Sequence, residues 1–204
     1  MKILAVADFH GSQYRLNIVL ENIKKYSPEL VIVCGDITQF GPGEVATNFL
    51  NQISVETFAI PGNIDTLDVA EAIDKSKAKN ISLKKLEKNN ISFVGFGGDS
   101  ISQSNIRLIE KLLDEKSVLV SHAPPYGFQD KAFIGMHTGN KDLRKIVDKC
   151  KPRLVLCGHI HENPGYTKTN NTIVVNCSMG KRGEGTLIEI NKNINVKMVT
   201  DKNL

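Results

Sequence analysis

The sequence predicts an α/β protein with two β-sheets, and three observations support this fold class. Short apolar runs alternate with segments of helical periodicity through the first half of the chain. Strand-like segments without helical periodicity follow one another near its end. The prolines Pro28, Pro42 and Pro61 fall between these elements rather than within them. The length of 204 residues suits a single domain, 1–204, with one well-packed core.

The first half is built from repeated βα units. Ile3–Ala7, Leu30–Cys34 and Val55–Ile60 are continuous apolar runs, which are typical of buried strands. A helical pattern of apolar residues follows each of the first two runs. The first helix is marked by Leu16, Val19, Leu20 and Ile23, and the second by Ala46, Phe49, Leu50 and Ile53.

The second half continues with a hairpin, two helices and more strands. The hairpin joins Ile81–Leu86 to Ile91–Phe96, and the helices carry Ile109 and Ile146 on their apolar faces. The glycine-rich segment 180–185 predicts a turn. Strands are predicted at 118–121 and 154–157, and antiparallel strands at 165–168, 172–176, 186–190 and 195–199.

Charge and targeting signals limit the classes of partner. The net charge of +4 comes from dispersed lysines, so the chain has no strong nucleic-acid signal. Neither a cleavable signal peptide nor an apolar stretch long enough to cross a bilayer is recognisable, which predicts a cytoplasmic protein without a membrane partner. The four cysteines form no CxxC pair, and because a cytoplasmic setting keeps thiols reduced, we expect free thiols. They are Cys34, Cys150, Cys157 and Cys177.

Residues able to bind metal follow five of the predicted strands. They are Asp8 and His10, Asp36, Asn63, His122, and His159 and His161. Because open α/β sheets place ligand sites beyond the carboxyl ends of their strands, we expect these loops to converge. Residues two apart in an extended chain project to the same side, so Asp8 and His10 can share an ion. His159 and His161 can serve one ion or two adjacent ions. Gly35, Gly62 and Gly158 let the backbone turn sharply beside these ligands.

The donor set indicates which metals would bind. Two carboxylates, four imidazoles and an amide oxygen include too few thiolates for a structural zinc site and too much nitrogen for calcium or magnesium. We expect divalent Mn²⁺ first, with Fe, Zn²⁺ or Ni²⁺ as alternatives. Seven protein ligands exceed what one ion takes while it keeps an open position, which predicts two ions with Asp36 as the bridging carboxylate.

The ordered motifs resemble the calcineurin-like metallophosphoesterase superfamily, whose pattern is DxH, GD, GNH(D/E), H and GHxH. This chain reads Asp8-Phe9-His10, Gly35-Asp36, Gly62-Asn63-Ile64-Asp65, His122 and Gly158-His159-Ile160-His161. The segments 121–127 and 157–162 resemble the small single-domain prokaryotic branch of that family.

The resemblance implies a fold and an assignment of the ligands. The fold is a four-layer αββα sandwich with two mixed β-sheets, of the metallo-dependent phosphatase-like type. One metal would be bound by Asp8, His10 and His161, the other by Asn63, His122 and His159, with Asp36 between them. The expected activity is hydrolysis of a phosphodiester or an activated phosphomonoester through a hydroxide that bridges the two metals.

One position departs from the family pattern. Ile64 stands where the family has a histidine that is thought to assist the leaving group. Asp65 would hold the ring of that histidine, and here it has no such ring to hold. The loss should slow poor leaving groups and leave the metal-driven part of the reaction intact. The catalytic candidates are His10, Asp36, Asn63 and His137. His137 precedes a helix in a glycine-flanked loop, where it lines the substrate pocket or is a surface histidine.

Two other functions remain open from the sequence. The missing histidine favours a metal-binding scaffold with weak or no turnover, against which the complete ligand set argues. A nuclease would need a basic groove, which the dispersed lysines do not provide. The expected partner is a small phosphoester or nucleotide substrate, and a homo-oligomer is left open.

Overall fold

A computed structural model of the protein describes residues 1–98, 102–180 and 183–200, which form two β-sheets and five α-helices. The glycine-rich segment at 180–185 falls partly outside those ranges. The helices are α1 (Gln13–Tyr26), α2 (Gly43–Gln52), α3 (Leu67–Lys75), α4 (Gln103–Leu112) and α5 (Lys141–Cys150).

The first sheet has six strands in the order β12-β11-β1-β2-β3-β4. The four strands β1 to β4 are parallel, and β11 joins β1 in the antiparallel sense. The parallel arrangement brings the carboxyl ends of β1, β2 and β3 to the same edge of the sheet. The strands are β1 (Lys2–Val6), β2 (Leu30–Cys34), β3 (Thr57–Ile60), β4 (Lys79–Asn80), β11 (Gly183–Ile190) and β12 (Ile194–Thr200).

The second sheet also has six strands, in the order β5-β6-β7-β8-β10-β9. The four central strands are parallel, and the two outer strands pair in the antiparallel sense. The expectation of purely antiparallel strands after residue 157 is therefore wrong for β10, which lies parallel to β8. The strands are β5 (Lys85–Lys88), β6 (Ile91–Phe96), β7 (Val118–Ser121), β8 (Leu154–Cys157), β9 (Gly165–Lys168) and β10 (Ile173–Asn176).

Three apolar clusters separate four layers, so the predicted αββα sandwich is confirmed. Ile3 and Phe58 of the first sheet pack with Phe93 of the second in the cluster between the sheets. Alternate residues of the first sheet pack with α1, α2 and α3, whereas the outer face of the second sheet packs with α4 and α5. Strands buried on both faces must be apolar at successive positions, which explains the continuous runs of the sequence.

Two elements differ from the sequence expectations. The segment between β3 and the hairpin contains α3, which buries Val69, Ala72 and Ile73 and which we did not predict. The first hairpin strand is Lys85–Lys88 rather than Ile81–Leu86, because Ile81 is buried between the sheets and precedes the turn into β5. Asn89 and Asn90 form the hairpin turn with positive φ, as their residue types favour.

The four cysteines of the chain are free thiols. No helix in the described ranges combines the length and the hydropathy that crossing a bilayer requires.

Candidate metal centre

The seven predicted ligands come together at the carboxyl-end edges of both sheets. Asp8 and His10 follow β1, Asp36 follows β2, and Asn63 follows β3 in the first sheet. In the second sheet, His122 follows β7, and His159 and His161 follow β8. The two sheets therefore contribute facing sets of donors.

The donors form two groups that each combine both sheets. Asp8, His10 and His161 form one group, in which one ligand atom of each lies within 4.8 Å of the others. The Nε2 atoms of His10 and His161 are 3.1 Å apart. Two imidazole nitrogens at that separation can both reach one ion, because metal–nitrogen distances are about 2.0–2.1 Å for zinc.

Asp36, His122 and His159 form the second group by the same criterion. Asp36 Oδ2 is 3.3 Å from His122 Nε2. Asn63 Oδ1 lies 2.8 Å from His122 Nε2 and 2.9 Å from His159 Nδ1, so the amide belongs to this group. The backbone N–H of His159 donates to both carboxylate oxygens of Asp8, at 3.1 and 3.3 Å, and thereby joins the two groups.

Four of the predicted ligand residues have left-handed backbone conformations. The φ values are +65° at Asp8, +51° at His10, +50° at Asp36 and +69° at His159. Residues other than glycine seldom adopt such values, and they cluster at sites where the surrounding structure imposes them. The fold therefore holds these donors in place at a conformational cost.

The glycines beside the ligands allow close approach of two loops. A Cβ on Gly62 would lie 2.0 Å from Asp36 Oδ1, and one on Gly35 would lie 2.7 Å from both Gly62 Cα and His122 Nδ1. Gly35 also has a φ of +91°, which confirms a sharp turn there. At Gly62 close contact, rather than a turn, requires the absence of a side chain.

Asp65 fixes the loops that carry Asp36 and Asn63. Its carboxylate accepts hydrogen bonds from the backbone N–H groups of Ile37, Thr38 and Gly62 at 2.9–3.0 Å, and from the Thr38 hydroxyl at 3.0 Å. The carboxylate that would have held a histidine ring thus joins two ligand-bearing loops.

Arg15 supports the loop after β1 and was not among the residues predicted from the sequence. Its guanidinium donates to the backbone carbonyls of Asp8 at 2.6 Å and Gly180 at 3.1 Å. Ser12, the N-cap of α1, accepts from the backbone of Arg15 and fixes the start of that helix. A basic residue in the first turn of a helix runs against the usual charge preference, and this was the available signal.

Burial and opposite charge shift the pKa values of the donors. Burial lowers the pKa of His122, but the hydrogen bond and the charge of Asp36 outweigh it and raise that pKa to about 9. The hydrogen bond to Asp8 raises the pKa of His161. Burial raises the pKa of Asp8, yet contacts with His161, His122 and Ser178 bring it below its usual value. Burial lowers the pKa of His10.

The site therefore suits divalent cations. Asp8, Asp36 and His122 are each at most 3% exposed, and buried carboxylates of this kind need a positive partner. His122 Nδ1 lies 2.8 Å from the carbonyl oxygen of Cys34, to which it donates when Nε2 is free to bind a metal. The buried carboxylates and the oriented imidazole both fit a bound metal.

Comparison with known proteins agrees with this geometry. The family model described as calcineurin-like phosphoesterase matches residues 1–163. The chain belongs to this family.

Two relatives and one solved structure match most of the chain. An uncharacterised protein of Methanocaldococcus jannaschii, MJ1162, is 36% identical over 200 residues, covering 87% of this chain and 88% of that protein. A probable glycerophosphodiester phosphodiesterase GpdQ of Arcobacter nitrofigilis is 28% identical over 177 residues, covering 76% of this chain and 64% of that protein. A dimetal phosphatase structure from Danio rerio superposes with a TM-score of 0.69 at 11% identity, covering 98% of this chain and 96% of that one.

His137 lies in the segment between His122 and α5, where a buried carboxylate orients its ring. Its Nδ1 is 2.5 Å from Oδ1 of Asp130, which is fully buried. The other oxygen of Asp130 accepts from the backbone of Gly127 and Gly139. An ionised carboxylate only accepts hydrogen bonds, so Nδ1 of His137 carries a proton.

The segment that carries His137 is attached to the loop between His159 and His161. The side-chain amide of Asn176 donates to the carbonyls of Ile160, at 2.8 Å, and Gln129, at 3.3 Å. The backbone N–H of Lys131 donates to Asn163. These contacts place the Asp130–His137 pair on a segment anchored beside the metal centre.

Proposed function

We propose that this protein is a dinuclear metal-dependent hydrolase of phosphodiesters or activated phosphomonoesters. The observation that carries the proposal is the pair of adjoining donor groups, each drawn from both sheets. The family supports hydrolysis of phosphoesters in general. The relative named as a probable glycerophosphodiester phosphodiesterase supports a diester, and the Danio rerio structure, described as a dimetal phosphatase, supports two ions.

In this proposal Asp8, His10 and His161 would bind one ion, and Asn63, His122 and His159 would bind the other. Asp36 would be the shared carboxylate, because it belongs to the second group and its charge also acts on His10 of the first. Two such cations would lower the pKa of a shared water and neutralise the phosphoryl oxygens. The mixed carboxylate, amide and imidazole donors suit Mn²⁺, which we expect first, or Fe, Zn²⁺ or Ni²⁺.

Neighbouring groups orient the donors, and the residue at position 64 cannot assist the reaction. The Cys34 carbonyl holds the ring of His122, and the Asp8 carboxylate lies 3.7 Å from Nε2 of His161. Ile64 can neither donate a proton nor bind an anionic oxygen. The site therefore favours leaving groups that depart as anions without protonation, such as aryl oxides.

His137 is the candidate that supplies a proton in place of the missing histidine. Asp130 fixes its tautomer, as a carboxylate does for a general acid or base. Its side chain is 38% exposed, so the ring is open to solvent. The proposal assigns His137 to assisting departure of poor leaving groups.

The test is a reconstitution experiment with a phosphoester panel. Metal-free protein would be loaded separately with Mn²⁺, Fe²⁺, Zn²⁺ or Ni²⁺ and assayed with bis(p-nitrophenyl) phosphate, p-nitrophenyl phosphate, 2′,3′-cyclic AMP and single-stranded DNA. We expect the bis-aryl diester to be cleaved and Asp36→Asn to abolish cleavage, with Glu71→Gln, an exposed helix variant, as the control. No turnover with any ion would overturn the proposal.

The scaffold alternative is favoured by one observation, the isoleucine at position 64. It predicts that the protein binds two equivalents of metal and hydrolyses none of these esters. Metal stoichiometry measured on the same samples separates it from an inactive preparation.

A further inference from the structure

Some exposed apolar side chains lie close in sequence to the proposed ligands. Among the described residues, eight large hydrophobic side chains are exposed, and four of them follow a proposed ligand by four residues. These four are Tyr14 after His10, Phe40 after Asp36, Leu67 after Asn63, and Tyr126 after His122. Single exposed hydrophobics are ordinary, so a binding role for any of them needs further contacts that connect it to the site.

Phe40 has the closest connection to the ligands. Its backbone N–H donates to the carbonyl of Ile64 at 3.2 Å, and the N–H of Ile64 donates to Asp36 Oδ1 at 3.2 Å. Two hydrogen bonds thus lead from Phe40 to the proposed bridging carboxylate. Ile64, which is half-buried, also directly follows the ligand Asn63.

The conformation of Phe40 is unfavourable in two respects. Its φ is +61°, a value that a bulky side chain rarely adopts, and its side chain is 70% exposed. Core packing therefore does not explain why an aromatic residue is held there. The fold fixes this conformation on either side, because Thr38 is bound to Asp65 and accepts from the N–H of Gly41 at 3.0 Å. Such strain is typical of residues that contact ligands.

We propose that Phe40 and Ile64 form an apolar subsite for a planar ring, an aryl group or a nucleobase, carried by the phosphoester substrate. The proposal rests on the proposed function and narrows its substrate class. A phenyl ring stacks on the face of any base or aryl group, and Ile64 adds apolar contact where a polar headgroup would gain nothing. An aryl oxide is also a leaving group that needs little protonation, which matches the absence of a proton donor at position 64.

The test compares two diesters with the same leaving group. Thymidine 5′-(p-nitrophenyl phosphate) carries a base, whereas methyl p-nitrophenyl phosphate does not, so the base is the difference of interest. We expect Phe40→Ala to lower kcat/KM for the thymidine ester about 10- to 100-fold more than for the methyl ester, mainly through KM. Phe40→Tyr should retain the preference, and Phe40→Leu, which is apolar without a ring, should lose most of it.

Tyr166→Ala removes an exposed aromatic side chain on the edge strand β9 and is the matched control. It should leave both rates within twofold of the original. If Phe40→Ala lowered kcat/KM equally for both esters, the proposed ring subsite would be wrong.

An equilibrium measurement separates the subsite from the proposed activity. Calorimetric titration of the metal-loaded protein with AMP and with inorganic phosphate should show that Phe40→Ala weakens AMP binding about 10-fold or more and leaves phosphate binding unchanged. If the unmodified protein cleaves neither ester but this difference is found, the proposed function fails and the ring subsite stands. If Phe40→Ala instead reduces binding to anionic phospholipid vesicles and leaves AMP binding unchanged, Phe40 contacts a lipid surface and the ring subsite is wrong.

Discussion

The guanidinium of Arg15 donates a hydrogen bond to the backbone carbonyl of Asp8, and the two atoms are 2.6 Å apart. The same side chain reaches Gly180, so one cation connects α1 to loops of both sheets. Asp8 has a φ of +65°, and this contact stabilises the strained conformation.

Arg15→Met should therefore weaken metal binding. Outer contacts of this kind commonly change metal affinity about 10- to 100-fold, and we expect a loss in that range. Calorimetric titration of metal-free protein with Mn²⁺ measures the loss. Lys24→Met, in the last turn of the same helix, is the control. Unchanged affinity in Arg15→Met would show that the loop needs no support from α1.

Asp65→Ala should destabilise both the fold and the centre. It leaves four donors without their acceptor, and we expect about 2–4 kcal/mol less stability, since each bond to a charged group contributes about 1.5–3 kcal/mol and the losses are partly offset by water. Urea unfolding of the metal-free protein measures this change, with Glu71→Gln as the control. A loss below about 0.5 kcal/mol would contradict the structural role of Asp65.

Gly62→Ala should remove metal binding at the second group. The added methyl would lie 2.0 Å from Asp36 Oδ1 and 2.3 Å from Asp36 N, and the loop has to move to relieve the overlap. Gly98→Ala is the matched control, because Gly98 has a φ of +80° and no atom within 4 Å of the added methyl. It should cost about 1 kcal/mol and keep both ions. Elemental analysis gives the stoichiometry, and two ions in Gly62→Ala would contradict this close approach.

Ile64→His and His137→Ala should change the preference between leaving groups in opposite directions. Restoring a histidine should raise turnover of alkyl monoesters relative to aryl diesters, while removing His137 should lower it, by about 10²-fold at most. The ratio of kcat/KM for the two substrates is the measurement. If neither variant alters the ratio, the proposed account of proton delivery is wrong.

Asp130→Asn should destabilise the protein in a pH-dependent way. Burial raises the pKa of Asp130, but hydrogen bonds from His137, Gly127 and Gly139 outweigh it and lower that pKa below the ordinary 3.8. A carboxyl group with a lowered folded-state pKa stabilises the fold above its unfolded pKa, and this contribution is lost as the pH falls through the folded value.

The stability gap between the original protein and Asp130→Asn should therefore be about 1–3 kcal/mol at pH 7 and narrow below about pH 4. Urea unfolding with a chelator present measures it, and the exposed Asp74→Asn is the control. A gap that does not depend on pH would show that the charge of Asp130 is not what stabilises the segment.

Local patterns in the sequence predict two β-sheets and the convergence of the ligands, whereas the resemblance to the family implied the four-layer αββα arrangement. Strands buried on both faces are apolar throughout, and donors directly after parallel strands must share an edge. Helix α3 was not predicted because its apolar face is short and consists mainly of Val69, Ala72 and Ile73. It also closely follows the motif that contains Asn63. The parallel pairing of β10 depends on contacts with β8, which its own residues do not specify.

The contacts and backbone conformations that hold the ligand-bearing loops in place are harder to predict from the sequence. Nothing in the local sequence states that Asp36 and His159 have positive φ, because residues other than glycine reach such values only under tertiary constraint. Arg15 and Asp65 act on backbone atoms of loops far along the chain. Asp130 becomes identifiable only once its contact with His137 is known.

Each donor group draws on both sheets, and this has a consequence for assembly. A cation held by such a group would be bound by residues of both sheets and would therefore link the first sheet to the second. Chains whose sheets have not yet docked present only part of each ligand set and would hold ions weakly. Hydrolytic competence would then arise only at the last stage of folding, which would keep immature polypeptides from attacking cellular phosphoesters.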